Sequence, residues 1–234
     1  MKPALLLLPG ALGSTAQLEP LADLLKDSAA IYTLNFAGHG GEPLAPAKFN
    51  LPHFAAQVRE FVATLGSGPV HVFGYSMGGY AALLAASEAP ELFASISTLG
   101  TKFDWTSATA AAETRFLDPA KMMEKIPAFV EQLRQRHAPT PWPEVVAATA
   151  QLMRELGENP PLTSEVLAAI ATPVLVLVGD ADHTAGTEAS ATFASYLPQA
   201  TFAVLEQTPH PLERVDLTAL ATRLRAFIAQ QPTG

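Results

Sequence analysis

The fold is decided by residues 70–79, which read VHVFGYSMGG. The residues before Gly74 favour a β-strand and the alanine-rich residues 80–86 favour a helix, so the stretch predicts a strand, a sharp turn and a helix. A serine at such a turn has a strained backbone. Gly74 and Gly78 make that turn possible because they carry no side chain that would collide with the strand or the helix.

Two interpretations of Ser76 are compatible with this turn. In one, Ser76 only caps the helix. In the other it is a nucleophile, and free backbone N–H groups together with the positive end of the helix dipole stabilise the negative charge that develops beside it. The strand before the turn, the helix after it and the additional Gly79 favour the nucleophile.

Strand-like and helix-like segments alternate along the rest of the chain. Strands are predicted at residues 4–8, 31–36, 70–73, 92–99, 173–178 and 201–205. Helices are predicted at residues 17–26, 51–65, 80–86, 187–196 and 212–229. This alternation predicts an α/β fold with a mostly parallel central sheet of about six strands wrapped by helices, in which ligands bind at the carboxyl ends of the strands.

The alternation is interrupted between residues 101 and 172, where helical pieces separated by prolines replace strands. We therefore predict a core formed by residues 1–100 and 173–234, with residues 101–172 inserted as a helical cap above the sheet edge. Large apolar side chains in this insertion are expected to pack the cap and together to form an apolar pocket. They are Phe103, Trp105, Phe116, Met122, Met123, Trp142 and Met153.

Composition narrows the class of protein. Of 234 residues, 49% are hydrophobic and 15% are charged, which is typical of an ordered globular chain. The net charge of −8 without a basic cluster argues against binding to nucleic acids or anionic membranes, so we expect a small-molecule partner. The absence of cysteine excludes disulfides and thiolate catalysis. The leucine run at residues 4–8 is too short to span a membrane, and we expect a cytoplasmic protein without metal or cofactor.

A serine nucleophile needs a histidine base and usually a carboxylate that orients the imidazole. His210 follows the last predicted strand and is therefore expected at the same sheet edge as Ser76, although a loop histidine between two prolines can also be merely exposed. Three aspartates are candidates for the carboxylate: Asp104, Asp180 and Asp182. We favour Asp182, because a residue directly at a strand end, such as Asp180, tends to satisfy nearby backbone N–H groups.

An oxyanion hole requires two backbone N–H donors near the nucleophile. The first is expected from Met77, directly after Ser76. The second is expected from the glycine-punctuated loop after the first strand, with Ala11 preferred and Leu12 as the alternative.

The order Ser76, Asp182, His210 and the strand rhythm resemble the α/β-hydrolase superfamily over essentially the whole chain. The matching motifs are residues 74–79 (GYSMGG) for the nucleophile elbow, 36–40 (FAGHG) for the P-G-H-G loop, 179–182 (GDAD) for the acid loop and 209–213 (PHPLE) for the histidine segment. The second aspartate of the acid loop usually serves in that superfamily, which is the main reason to choose Asp182. Where the superfamily usually has His-Gly after the first strand, this chain has Pro9-Gly10, so a hydrogen bond that stabilises the oxyanion loop is expected to be absent.

The resemblance implies a serine hydrolase of the carboxylesterase or lactonase type. Such an enzyme cleaves an ester, thioester, lactone or activated carbon–carbon bond of a small, partly apolar substrate through a Ser-His-Asp triad and an acyl-enzyme. The alternative is a non-catalytic binding or signalling protein that keeps the fold and uses the capped pocket only to recognise a ligand.

Overall fold

A computed structural model describes residues 2–66 and 68–231. Its six strands form one sheet in the order β2-β1-β3-β4-β5-β6, and every neighbouring pair is parallel. The strands are β1 (Ala4–Leu8), β2 (Ala30–Thr33), β3 (Val70–Tyr75), β4 (Phe93–Leu99), β5 (Val174–Ala181) and β6 (Ala200–Pro209). The predicted α/β fold is confirmed.

Helices cover both faces of this sheet. Within the described residues the α-helices are α1 (Glu19–Leu25), α2 (Leu51–Leu65), α3 (Met77–Glu88), α4 (Ser107–Thr114), α5 (Pro119–Lys125), α6 (Pro127–His137), α7 (Trp142–Glu158), α8 (Ser164–Ala168), α9 (Thr187–Ala194) and α10 (Leu217–Ala229). None of these helices has the length and apolar character needed to cross a membrane.

The leucine run of β1 explains why the sheet is buried on both sides. Leu6 and Leu8 point to the face covered by α2 and α3, whereas Leu5 and Leu7 point to the face covered by α1 and α10. Because successive side chains of a strand alternate between faces, an unbroken apolar run suits a parallel strand between two layers of helices.

Several boundaries differ from the prediction, and three of them have a clear physical reason. Strand β2 ends at Thr33, which pairs with Leu7 of β1, and residues 35–36 lie beyond the end of β1 at Leu8. Strand β6 continues through residues 206–209, predicted as loop, because β5 also continues and Ala181 pairs with Pro209. The last helix begins at Leu217 and not at residue 212, because the Asp216 carboxylate caps it there.

Helices α4 to α8 lie between β4 and β5 in the chain, and residues 107–168 contain no strand. Helix α4 packs on α7 at Gly157, where a Cβ atom would lie 2.6 Å from the Cβ of Ala110. We call α4–α8 the helical insertion. The exact division of the chain into core and cap at residues 101 and 172 stays a prediction.

Candidate active site

Ser76 lies at the tight turn between β3 and α3, with φ 50° and ψ −115°. A non-glycine residue in this region is strained by about 1–3 kcal/mol and persists only where its surroundings fix it. A Cβ atom on Gly74 would lie 2.3 Å from the backbone N of Gly79, and one on Gly78 would lie 2.6 Å from the carbonyl oxygen of Leu8. The predicted need for glycine on both sides of the serine is therefore confirmed.

The turn is also fixed from outside. The Ser76 N–H donates to the carbonyl of Leu99 at 2.8 Å, and the Thr101 hydroxyl donates to the carbonyl of Ser76 at 2.9 Å. Both partners come from the end of β4, so the neighbouring strand fixes the nucleophile candidate. Sequence reasoning missed Thr101, because nothing in its local sequence marks its hydroxyl as a partner of residue 76.

His210 and Asp182 form a hydrogen-bonded pair, with 2.8 Å between Nδ1 of His210 and Oδ2 of Asp182. They come from the ends of adjacent strands, because β5 and β6 are paired up to Ala181 and Pro209. Ser76 and His210 line the same cavity, although no hydrogen bond joins them among the described residues. The sheet topology thus brings the three predicted triad residues to one edge.

Asp182 is buried, with 4% of its surface exposed. Its other oxygen, Oδ1, accepts hydrogen bonds from the N–H groups of Thr184 at 3.0 Å and Ala185 at 2.9 Å. Burial alone would raise the pKa of Asp182, but the hydrogen bond and charge of His210 and the two backbone donors together lower it below its ordinary value. Asp182 is therefore an ionised, fixed acceptor for the His210 ring.

The other two aspartates take different places. Asp180 Oδ1 accepts the N–H of Thr208 at 3.1 Å, as expected for a residue at a strand end. Hydrogen bonds from the backbone N–H groups of Gln207 and Thr208 lower the pKa of Asp180 below its ordinary value. Asp104 is exposed between β4 and α4 and has no hydrogen bond to His210. Of the three candidates, only Asp182 pairs with His210.

Two further residues support this pair. The Tyr75 hydroxyl donates to the carbonyl of His210 at 2.8 Å, and their ring centroids are 5.5 Å apart. Burial raises the pKa of Tyr75, so its hydroxyl stays a donor. A Cβ atom on Gly100 would lie 2.8 Å from Oδ2 of Asp182 and 3.2 Å from Nδ1 of His210. Two signals in the sequence could have identified these residues. Tyr75 is the first variable residue of the G-x-S-x-G pattern, and Gly100 directly follows strand β4.

The loop after β1 brings Ala11 and Leu12 to the cavity that Ser76 and Met77 line. The N–H of Gly13 donates to the carbonyl of Gly10 at 3.0 Å, which closes a four-residue turn. Ala11 and Met77, the predicted oxyanion donors, thus line the same cavity as Ser76. The choice between Ala11 and Leu12 stays open.

The cavity has a volume of about 320 Å³, the size of a small-molecule site. The helical insertion and the segment just before it form much of its wall, chiefly with Trp105, Phe129, Arg136, Leu152, Met153 and Leu156. The prediction of an apolar cap pocket is thus correct for Trp105 and Met153. It is wrong for Phe116 and Met123, which are 62% and 53% exposed, because they lie on the outer surface of the insertion.

Charged side chains at the cavity have polar partners. Lys102 Nζ lies 3.5 Å from a carboxylate oxygen of Glu113 and donates to the carbonyl of Thr184 at 3.0 Å. Glu213 accepts a hydrogen bond from the Gln17 side chain. Among the described residues, no cluster of three or more His, Asp or Glu side chains is arranged to hold a metal ion.

Three further histidines, His39, His71 and His137, are buried and do not line the cavity. His71 is buried in β3, where its Nδ1 lies 2.8 Å from the hydroxyl of Ser95. His39 and His137 are fully buried with ring centroids 5.9 Å apart. Burial lowers the pKa of His39 to about 3 and that of His137 to about 4. Sequence reasoning did not single out His137, because its position in an uncertain helical segment gave no hint of its partners.

Comparison with known proteins agrees with this geometry. The family model described as alpha/beta hydrolase fold matches residues 3–140. RutD of Pseudomonas syringae pv. syringae (strain B728a), a protein named as a carbamate hydrolase, is 26% identical over 256 residues, covering 98% of this chain and 95% of its own.

Solved structures show the same fold. An esterase from Thermogutta terrifontis has a TM-score of 0.76 at 24% identity, covering 97% of this chain and 91% of its own. MenH from S. aureus has a TM-score of 0.77 at 19% identity, covering 97% and 94%. From the matched family model, the parallel sheet and the serine turn, we conclude that the chain belongs to the alpha/beta hydrolase fold family.

Proposed function

We propose that the protein is a serine hydrolase of the carboxylesterase or lactonase type, with Ser76, His210 and Asp182 as its triad. One observation carries the proposal: His210 is held by the buried carboxylate of Asp182 at 2.8 Å and lines the cavity that contains Ser76. A binding protein would have no need of a buried ionised group that holds a histidine in the same cavity as a strained serine.

The proposed chemistry uses these groups in sequence. Because Nδ1 of His210 donates to Asp182, Nε2 is the free nitrogen that accepts the proton of Ser76 when its hydroxyl attacks a carbonyl carbon. The N–H groups of Met77 and Ala11 stabilise the resulting oxyanion. His210 then returns the proton to the leaving group, which leaves an acyl-enzyme that water hydrolyses by the same steps.

The cavity favours a small and partly apolar substrate, since aliphatic and aromatic side chains dominate its wall and the charges of Lys102 and Glu113 are paired. An ester, thioester, lactone or activated carbon–carbon bond fits this environment. A carbamate is a second candidate, favoured by the likeness to RutD along nearly the whole chain. The first step is the same for both, because each presents a carbonyl to Ser76.

A fluorophosphonate probe tests the proposal. We expect the wild-type protein to be labelled at Ser76, with the site established by peptide mass spectrometry, and the Ser76→Ala variant to remain unlabelled. Ser87→Ala is a matched control, because Ser87 does not line the cavity and its hydroxyl donates to the Leu84 carbonyl. Absence of labelling in the folded wild type would favour the non-catalytic binding protein and reject the hydrolase.

The substrate class requires a second experiment. Rates should be compared across p-nitrophenyl esters of increasing acyl length, simple lactones and an aryl carbamate, with Ser76→Ala as the blank. Turnover of the carbamate above the best ester would select the RutD-like activity, and the reverse would select an esterase or lactonase.

A further inference from the structure

The turn that carries the second oxyanion donor is strained at Leu12, which has φ 57°. Leu12 occupies the third position of the turn closed by Gly13 and Gly10, while Ala11 has no positive φ. This is the pattern of a type II turn, whose third position normally holds glycine or asparagine. A leucine stays there only if neighbouring groups hold the turn.

Those neighbouring groups come from the end of α6 in the helical insertion. The Leu12 carbonyl oxygen accepts a hydrogen bond from Nη1 of Arg136 at 2.8 Å and lies 3.1 Å from Nε2 of His137. The partners are 124 and 125 residues away in sequence. Because both donors reach one oxygen, they fix the orientation of the Leu12–Gly13 peptide.

The role of His137 is defined by its second nitrogen. The N–H of Gly40 donates to Nδ1 of His137 at 3.2 Å, so Nδ1 is an acceptor and Nε2 carries the hydrogen that Leu12 accepts. Burial lowers the pKa of His137 to about 4, which keeps this neutral form at neutral pH. The ring is thus fixed between the loop after β1 and the loop after β2.

We propose that His137 and Arg136 are positioning residues that hold the oxyanion loop in its reactive conformation, so that the helical insertion sets the rate of catalysis as well as access to Ser76. The inference rests on the proposed serine hydrolase and extends it. His137 is fully buried and does not line the cavity, so its effect on rate has to pass through Leu12. These bonds take the place of the loop-stabilising hydrogen bond that is expected to be absent at Pro9-Gly10.

The test is a double-mutant cycle between His137→Phe and Leu12→Gly, read by the rate of fluorophosphonate labelling and by kcat and KM for a p-nitrophenyl ester. Glycine adopts a positive φ without strain, so a loop with glycine at position 12 needs less external support. His71→Phe is the control. Like His137, His71 is a buried histidine, but its ring is bonded to the Ser95 side chain and makes no hydrogen bond with the loop at Leu12.

We expect His137→Phe to lower kcat and the labelling rate about tenfold with KM changed less than about twofold, the direction expected when oxyanion stabilisation weakens. In the Leu12→Gly background the same substitution should lower kcat less than about threefold, since the strain that His137 opposes is gone. A purely structural role for His137 predicts equal losses in both backgrounds, and that result would overturn the proposal.

Arg136→Met keeps the test usable if His137→Phe does not fold, because Arg136 is only half buried. It should show the same rescue of kcat by Leu12→Gly, and His137→Gln, which keeps a donor near Leu12, should retain most of the wild-type rate.

Crystal structures of the variants provide a readout independent of activity: the Leu12 carbonyl should turn away from α6 in Arg136→Met. Wild-type protein that is never labelled would reject the hydrolase itself, whereas labelled variants with unchanged rates would reject only the role of α6.

Discussion

The loops at the sheet edge and the helical insertion contribute to the same cavity in different ways. The loops carry Ser76, Asp182 and His210 in positions fixed by backbone close contacts and buried hydrogen bonds. The insertion contributes mainly side-chain packing, and part of it faces outward with exposed Phe116 and Met123. On the functions proposed above, the core carries the chemistry, while the insertion sets selectivity and supports the oxyanion loop.

The largest effect is expected for Asp182→Asn, which tests the core side of this comparison. An amide cannot hold the imidazole of His210 in the required tautomer, so kcat should fall about 10⁴-fold while the fold is kept. Steady-state hydrolysis of a p-nitrophenyl ester measures the loss. Asp104→Asn is the control and should remain active; inactive Asp104→Asn beside active Asp182→Asn would transfer the role to Asp104.

Two glycine-to-alanine substitutions then compare how well the core and the insertion tolerate an added Cβ atom. Gly74→Ala should destabilise the protein by about 3 kcal/mol or more and abolish labelling of Ser76, because its Cβ would collide with backbone atoms that cannot move aside. Gly157→Ala, between α7 and α4, should lower stability by about 1–3 kcal/mol and leave Ser76 reactive. Urea unfolding and probe labelling measure both. Equal loss of labelling would show that the insertion is as necessary to the serine turn as the core.

Acid stability tests the contact between the regions, where His39 of the core faces His137 of the insertion. Their folded pKa values, about 3 and about 4, lie below the unfolded value of 6.5. The unfolded chain therefore binds more protons below pH 6.5, and stability present above that pH is lost as pH falls toward 4. Each histidine contributes a slope of about 1.4 kcal/mol per pH unit to the free energy of unfolding.

Urea unfolding between pH 4.5 and 7 measures this slope. His39→Phe should reduce it, because phenylalanine packs among Phe36, Phe49 and Phe54 without taking up a proton. An unchanged slope in His39→Phe would contradict the assignment.

The smallest effect is expected for Met153→Ala, which tests selectivity from the insertion. Removing this side chain from the cavity wall enlarges the pocket, so the preference between long and short acyl esters should shift toward the longer ones by roughly tenfold in kcat/KM. Met123→Ala, on the exposed surface, should leave the preference unchanged. A shift in both variants would mean that the cavity wall does not set chain-length preference.

The core was largely predictable because its signals are local. The glycines around Ser76, the alternating strands and helices, and the aspartate and histidine after adjacent strands all follow from backbone geometry that nearby residues determine. The errors at β2, β6 and α10 arose because a strand ends where its partner ends and a helix begins at its cap, which periodicity does not show.

The sequence by itself determined the fold, the serine turn and the candidate residues, because those depend on short-range conformational limits and hydrophobic periodicity. Only the tertiary structure decided that Asp182 and not Asp104 pairs with His210, that Tyr75 and Thr101 support the site, and that the end of α6 reaches Leu12. These contacts join residues up to 135 positions apart, and they depend on how packed elements meet.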